Sequence, residues 1–220
     1  MARAVGLSLA ASGATLRRDA IRRALRRALV LPATIAIFAL APAIRAQDSE
    51  FTPDPANTTL EFTLGASLHT VHGTFKLKNG TIHFDPAKGT ASGQIVVDAT
   101  SGESGNDGRD KKMHQEILES PKFSDVVFVP TRMQGTIAPQ GTSHIAITGL
   151  LKLHGQDHEV TLDFSVTPEA SGRTQAIAHF EIPYVKWGLK NPSTFILRVN
   201  DSVEVDIHAI GQLTPISPPR

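Results

Sequence analysis

From Thr59 to Ile210 apolar and polar residues alternate along the chain with a period of two, the mark of strands with one buried and one solvated face. Leu60, Phe62 and Leu64 point one way; Thr59, Glu61 and Thr63 point the other. Val71, Gly73, Phe75 and Leu77 then oppose His72, Thr74, Lys76 and Lys78. Asn79-Gly80 predicts a tight hairpin turn at this point, since both residues tolerate the positive φ that a type I′ turn needs. Ile82 and Phe84 continue the apolar face to a turn at Asp85-Pro86, and Ile95 and Val97 carry a further strand. Val126–Val129 reads as one strand and Thr131–Ala138 as a weaker, separate one. Ile145, Ile147, Gly149, Leu151 and Leu153 make the longest clean alternation. A turn over His154–His158 reverses the chain into Val160, Leu162, Phe164 and Val166. Two more strands hold Ala176, Ala178, Phe180 and Ile182, and Val203, Val205, Ile207 and Ala209.

One stretch departs from this pattern. Residues 104–123 predict a single short helix near Gly108–Leu118. Asn106 or Asp107 can cap it, Asp110 suits its first turn, and Met113, Ile117 and Leu118 form a narrow apolar stripe. Ser120-Pro121 ends it, because the residue before proline avoids the helical region. From pattern alone the helix is either a connector between strands or a lid at the mouth of a barrel.

About eight strands joined by short turns imply an all-β antiparallel fold, closed as a barrel or stacked as a sandwich. The strands are long, and small residues (Gly73, Gly93, Gly149, Ala176, Ala178) interrupt the inward set. Both features favour an elongated eight-stranded β-barrel with room for a small ligand, although small residues also mark bends and bulges.

Composition narrows the biology. The chain has no cysteine, so neither disulfides nor thiolate metal sites are available. The formal charge of +1 hides an asymmetry. Residues 1–46 hold eight Lys and Arg against one acid, which leaves fourteen basic and twenty acidic residues beyond them, a net of −6. An acidic domain argues against a nucleic-acid partner, which needs a basic footprint. The arginine pairs 17–18, 22–23 and 26–27, the uncharged run 28–44, and Ala41, Ala43 and Ala46 have the layout of a cleavable signal peptide over residues 1–46. The expected domains are therefore that leader, a barrel over 47–213 that opens with an extended lead-in, and a proline-bearing flexible tail over 214–220. The expected localisation is the periplasm.

Catalytic signatures are absent: there is no G-x-S-x-G, P-loop, H-E-x-x-H or G-x-G-x-x-G. His158-Glu159 begins like a zinc-protease motif, but Leu162 stands where the second histidine must be. His154 and His158 flank one turn and supply two ligands, short of the three or four that zinc takes. No catalytic or metal residue is assigned. Were the chain an enzyme, His114 and His179 would be its candidate reactive groups.

Several segments together resemble the YceI family of exported lipid-binding proteins. Phe62 with Val71-His72-Gly73-Thr74-Phe75 resembles that family's opening strands, and Ile82-His83-Phe84-Asp85-Pro86 the next strand and turn. The most specific resemblance is the helix segment, Ser104–His114 followed by Leu118–Phe123. Gly149–Gly155 with Val160-Thr161, and Phe180–Ile182 with Trp187-Gly188, extend it over about residues 51–212. The resemblance implies a lipocalin-like barrel holding a long isoprenoid lipid, a polyprenyl chain or an isoprenoid quinone, with no other cofactor. Carried onto this chain, Phe62, Phe75, Ile95, Val97, Ile147, Leu151, Leu162, Phe164 and Phe180 would line the ligand. Met113, Ile117, Leu118, Phe123 and Trp187 would close around it. Arg109, Lys111, Lys112 and His114 would stand near a head group, or the three cations would simply form a solvated helix face. The partners expected are the lipid, a transient membrane or membrane-protein contact, and a second copy in a homodimer. A domain with a wholly filled core is the competing expectation.

Overall fold

The computed structural model describes residues 48–216. The expected signal peptide lies outside them, as do the last residues of the expected tail. Among the described residues nine strands form one antiparallel sheet that closes on itself. They are β1 (Ser49–Pro53), β2 (Thr59–Gly65), β3 (Thr70–Asp85), β4 (Thr90–Glu103), β5 (Asp125–Gln134), β6 (Ser143–Leu153), β7 (Gln156–Pro168), β8 (Arg173–Ile182) and β9 (Val203–Pro215).

Nine strands make eight staves, because β1 and β2 share one position. β2 pairs with residues 70–75 of β3 and 204–208 of β9, while β1 pairs further along the same two strands, at 82–84 and 211–215. A 3₁₀ turn at Pro55–Asn57 divides them, with Asp54 accepting hydrogen bonds from the Ala56 amide at 2.9 Å and Asn57 Nδ2 at 2.5 Å. Those bonds, Asn57's first, hold the Asp54 carboxyl below its ordinary range. The expected lead-in is therefore part of the barrel, with Phe51 buried in it. At the other end Thr214 and Pro215 pair with β1, so the strand runs two residues into the expected tail. A β1–β9 seam closes that end of the barrel and leaves fewer unpaired backbone groups.

Two expected breaks are bulges. Asn79-Gly80 lies inside β3, where the register with β4 shifts between Leu77 and Asn79. Neither residue has positive φ. The apolar set changes there from odd positions (Val71, Phe75, Leu77) to even ones (Ile82, Phe84), and one extra residue in a continuous strand makes that change. Glycine is needed at position 80 for close approach, since a Cβ would sit 2.6 Å from Ile95 Cδ1 and 2.7 Å from the Gln94 carbonyl oxygen. Likewise Val126–Val129 and the start of the expected weaker strand are one strand, β5, shifted in register between Pro130 and Arg132. Opposite that bulge, a Cβ on Gly149 would lie 2.4 Å from the Val129 carbonyl oxygen.

The helix α1 (Asp107–Lys112) starts as expected, with the Asn106 side chain accepting from the Arg109 amide at 2.9 Å. It continues as one π-helical turn, Met113–Ile117, closed by the Leu118 amide on the Met113 carbonyl at 2.9 Å. Glu119 ends it at φ +46°. α1 and the π turn lie in the β4–β5 connection. That places them at the same barrel end as the β2–β3 turn, the β6–β7 turn and the β8–β9 connection, residues 183–202. Among the described residues no helix is long and apolar enough to cross a membrane.

Candidate functional site

The barrel encloses a cavity of about 560 Å³ walled almost wholly by apolar side chains. A wholly filled core is thus not what these residues build. The volume lies within the range of small-molecule sites, roughly 300–1,000 Å³. Ile145 to Leu153, the inward run of β6, corresponds to roughly 26 Å of strand, or on the order of 20 Å along the axis once strand tilt is allowed for. The wall is therefore long enough for an extended chain rather than a compact ligand.

One end is sealed. Phe51, Phe84, Val166 and Ala176 line it and are all buried. The other end carries the polar lining residues His69, Ser104, Arg109, Lys112 and Thr194, set between α1, the β2–β3 turn and the β8–β9 connection. A second cluster roofs part of this end. Leu153, Tyr184 and Leu189 are buried against Leu64, Ile117, Leu118 and Val203. The helix is thus a lid element, and its stripe of Met113, Ile117 and Leu118 lines the cavity.

Phe62, Phe75, Ile95, Val97, Ile147, Leu151, Leu162, Phe164 and Phe180 all lie on the cavity wall. Phe123 and Trp187 do not. Phe123 packs on the His154 ring at 4.5 Å, under the Lys122 ammonium and into the space left by Gly155, where a Cβ would come within 2.6 Å of it. Trp187 stacks flat on His158, centroids 4.1 Å apart. Both aromatics buttress the β6–β7 turn; Trp187 also packs against the barrel core and the roof cluster, and neither ring lines the cavity.

The polar candidates also separate. Arg109 and Lys112 line the mouth. Arg109 donates to Ser104 from Nε at 2.7 Å, to Oγ, and from Nη2 at 2.6 Å, to the carbonyl; the Ser104 hydroxyl in turn bonds Asp110. Lys112 Nζ reaches the Pro192 carbonyl at 3.5 Å. Lys111 is exposed and off the cavity wall. His114 is off it too. Its Nε2 donates to the Gly102 carbonyl, which can only accept, so in the neutral ring Nδ1 accepts from the Ser120 hydroxyl; both contacts are 2.9 Å. His114 therefore ties the helix end to β4 and has no ring nitrogen left for a head group. His179 sits on the outer face of the barrel, bonded to Asp206 at 2.7 Å.

The Asp206 hydrogen bond and then its charge raise the His179 pKa above 6.5. A folded-state pKa above the unfolded value means the pair stabilises fully below pH 6.5, and that contribution disappears as pH rises through the folded pKa. An NMR titration of His179 should give a midpoint above 6.5, and Asp206→Asn should return it towards that value.

Pattern reading missed the roof. Tyr184, Leu189, Pro192, Leu197 and Val199 line the cavity from a connection with no strand or helix period. Tyr184 holds this connection down. Its hydroxyl donates to the Asn200 carbonyl at 2.6 Å, while the Asn200 amide donates to Gly65 on β2 at 2.9 Å. Burial, with the Asp201 charge second, pushes the phenol up to about 12, so it stays protonated as a donor. Tyr184→Phe should cost about 1 kcal/mol in urea unfolding, the usual worth of one such bond.

A closed antiparallel barrel of eight staves around an apolar cavity open at one end defines the lipocalin-like class of β-barrel. The profile of the YceI-like domain matches residues 51–210, and the chain belongs to that family. A curated relative, a UPF0312 protein of Pseudomonas fluorescens, is 32% identical over 106 residues, 47% of this chain and 52% of the relative; the chain thus spans about half the length of that relative. Among solved structures, a polyisoprenoid binding domain from Saccharophagus degradans superposes with TM-score 0.61 at 19% identity, covering 75% of this chain and 98% of that one. Burkholderia cenocepacia BcnA gives 0.58 at 19% identity, covering 72% and 98%. At these identities the two structures speak for the fold.

Proposed function

We propose that this protein is a periplasmic, non-catalytic carrier of a long isoprenoid lipid, a polyprenyl chain or an isoprenoid quinone, held in the barrel. The observation that carries the reading is the elongated apolar cavity with its lining cations, Arg109 and Lys112, at the open end. A polyisoprenoid-binding structural relative and the family membership support the same ligand class. The leader pattern supports export. The placement of the two candidate reactive histidines favours carriage over catalysis: His114 is used by Gly102 and Ser120, and His179 is outside the barrel.

The chemistry suits such a ligand. Hydrocarbon needs no polar partner, and each buried CH₂ is worth about 0.8 kcal/mol, so a five-carbon unit contributes roughly 2–4 kcal/mol. Arg109 and Lys112 would meet an anionic or carbonyl head at the mouth. Delipidated protein should be titrated with polyprenols and isoprenoid quinones of increasing length. The expected result is about tenfold or more tighter binding per added five-carbon unit until the lumen is full. Affinity independent of chain length would count against the reading.

A further inference from the structure

We propose that a two-loop tip beside the cavity mouth docks the protein onto the surface of a lipid bilayer carrying anionic head groups. The inference rests on the carrier reading, since a cargo that does not dissolve in water must enter and leave through a lipid phase.

The tip is built, not incidental. Thr194 and Leu197 close a tight turn, with the Thr194 amide on the Leu197 carbonyl at 2.8 Å and the Leu197 amide on Thr194 Oγ1 at 3.0 Å. Its two central residues are Phe195 and Ile196, 99% and 81% exposed. Turn centres usually hold Gly, Asn, Asp or Pro, whose conformations or side chains suit the turn. A phenylalanine followed by a β-branched isoleucine serves no such purpose. The neighbouring β2–β3 turn adds Leu68, 72% exposed. The two loops are bound to each other. Ala66 and Val199 form a bridge, the Ser67 amide donates to the Arg198 carbonyl at 2.8 Å, and the Arg198 amide donates to Ser67 Oγ at 3.2 Å. Other residues of the same loops, His69, Thr194 and Leu197, line the mouth, so the apolar tip is continuous with the exit from the cavity.

Charge selects the occupant. Arg198 is exposed on the tip, with Arg109 and Lys112 at the mouth beside it, and none of the three forms an ion pair among the described residues. The carboxylates at this end are partly engaged: Asp110 by the Ser104 amide and hydroxyl, Glu116 by Lys190 at 2.9 Å and Asp201 by the Asn191 side-chain amide at 2.7 Å; Glu103, Asp107, Glu181 and Glu204 stay exposed, away from the turn that carries Phe195 and Ile196. Projecting apolar side chains with an unpaired arginine between them and two cations at the adjacent mouth suit the head-group boundary of an anionic bilayer. A flat, neutral patch would suit a protein partner better.

The test is flotation of the exported protein with phosphatidylcholine vesicles, with and without phosphatidylglycerol, while bound lipid is quantified by extraction from the same samples. Wild type should float with the anionic vesicles. Leu68→Ser/Phe195→Ser/Ile196→Ser should reduce this about tenfold or more, and Arg198→Glu should reduce it only on anionic vesicles. None of these residues lines the cavity, so wild type and variants loaded with the same lipid before the assay should retain it equally. Equal flotation of wild type and the triple variant would overturn the proposal. So would a wild-type dimer, seen by light scattering, that the triple variant breaks while neither binds vesicles, because the tip would then serve a second copy. Tip-dependent flotation with an empty cavity would support the docking surface and remove the carrier reading.

Discussion

Val97→Trp combined with Val205→Trp should leave a folded barrel that no longer retains its lipid. Both valines line the lumen and are only half-buried, because they face its vacant space. Two indoles there occupy the room of at least one five-carbon unit of cargo. Losing that unit's burial weakens binding by roughly 2–4 kcal/mol, about 30- to 1,000-fold. The added rings should enter existing space rather than overpack a filled core, so the circular dichroism spectrum and melting temperature should stay near those of wild type. Lipid recovered by extraction, normalised to protein, is the measurement. Wild-type lipid content in the double variant would mean that the cavity is not where the cargo sits.

Phe84→Ala should act in the opposite sense, on stability before binding. Phe84 is 3% exposed and belongs to the core cluster at the sealed end with Phe51, Ile82 and Ala91. Removing a buried phenyl ring typically costs 3–5 kcal/mol through lost transfer energy and the cavity left behind. Phe75→Ala is the control. Phe75 faces the lumen near the open end, packed 5.5 Å from the Phe62 ring, and is only half-buried. Its loss should cost well under half as much stability but weaken lipid retention. Urea unfolding of the two variants, with extraction alongside, separates a ring that holds the fold from one that holds cargo.

The contrast between those two phenylalanines was legible in the period-two pattern only as far as direction. Alternation says which side chains point inward. It does not say which end of the barrel is closed, and that depends on how β1 and the end of β9 pair across the seam. The pattern placed Phe62, Phe75, Ile147, Leu162 and Phe164 on one surface because side-chain parity is fixed by strand geometry. The same parity was ambiguous at Asn79-Gly80. A switch from odd to even inward positions is satisfied equally by a turn or by one inserted residue, and Asn-Gly is the residue pair that turns favour. What decides it is the length of β4, whose residues from Thr90 to Val97 pair along the whole of β3 beyond Lys76.

The helix was legible from its cap and its breaker, and its apolar stripe identified the face now lining the mouth. Phe123 and Trp187 were not separable from that stripe, because nothing in their own neighbourhood announces His154 and His158 as partners. The roof formed by Tyr184 and Leu189 was invisible for a different reason. Its residues are held by single hydrogen bonds and by contacts distant in sequence, which leave no periodic trace.

Native mass spectrometry of the protein purified without detergent from cells that make isoprenoid lipids is the decisive measurement. The expected spectrum holds a population heavier than the polypeptide by the mass of one long isoprenoid lipid, released as that lipid on collisional activation and absent from the Val97→Trp/Val205→Trp variant. A wild-type spectrum at the bare polypeptide mass, from cells rich in such lipids, would contradict it.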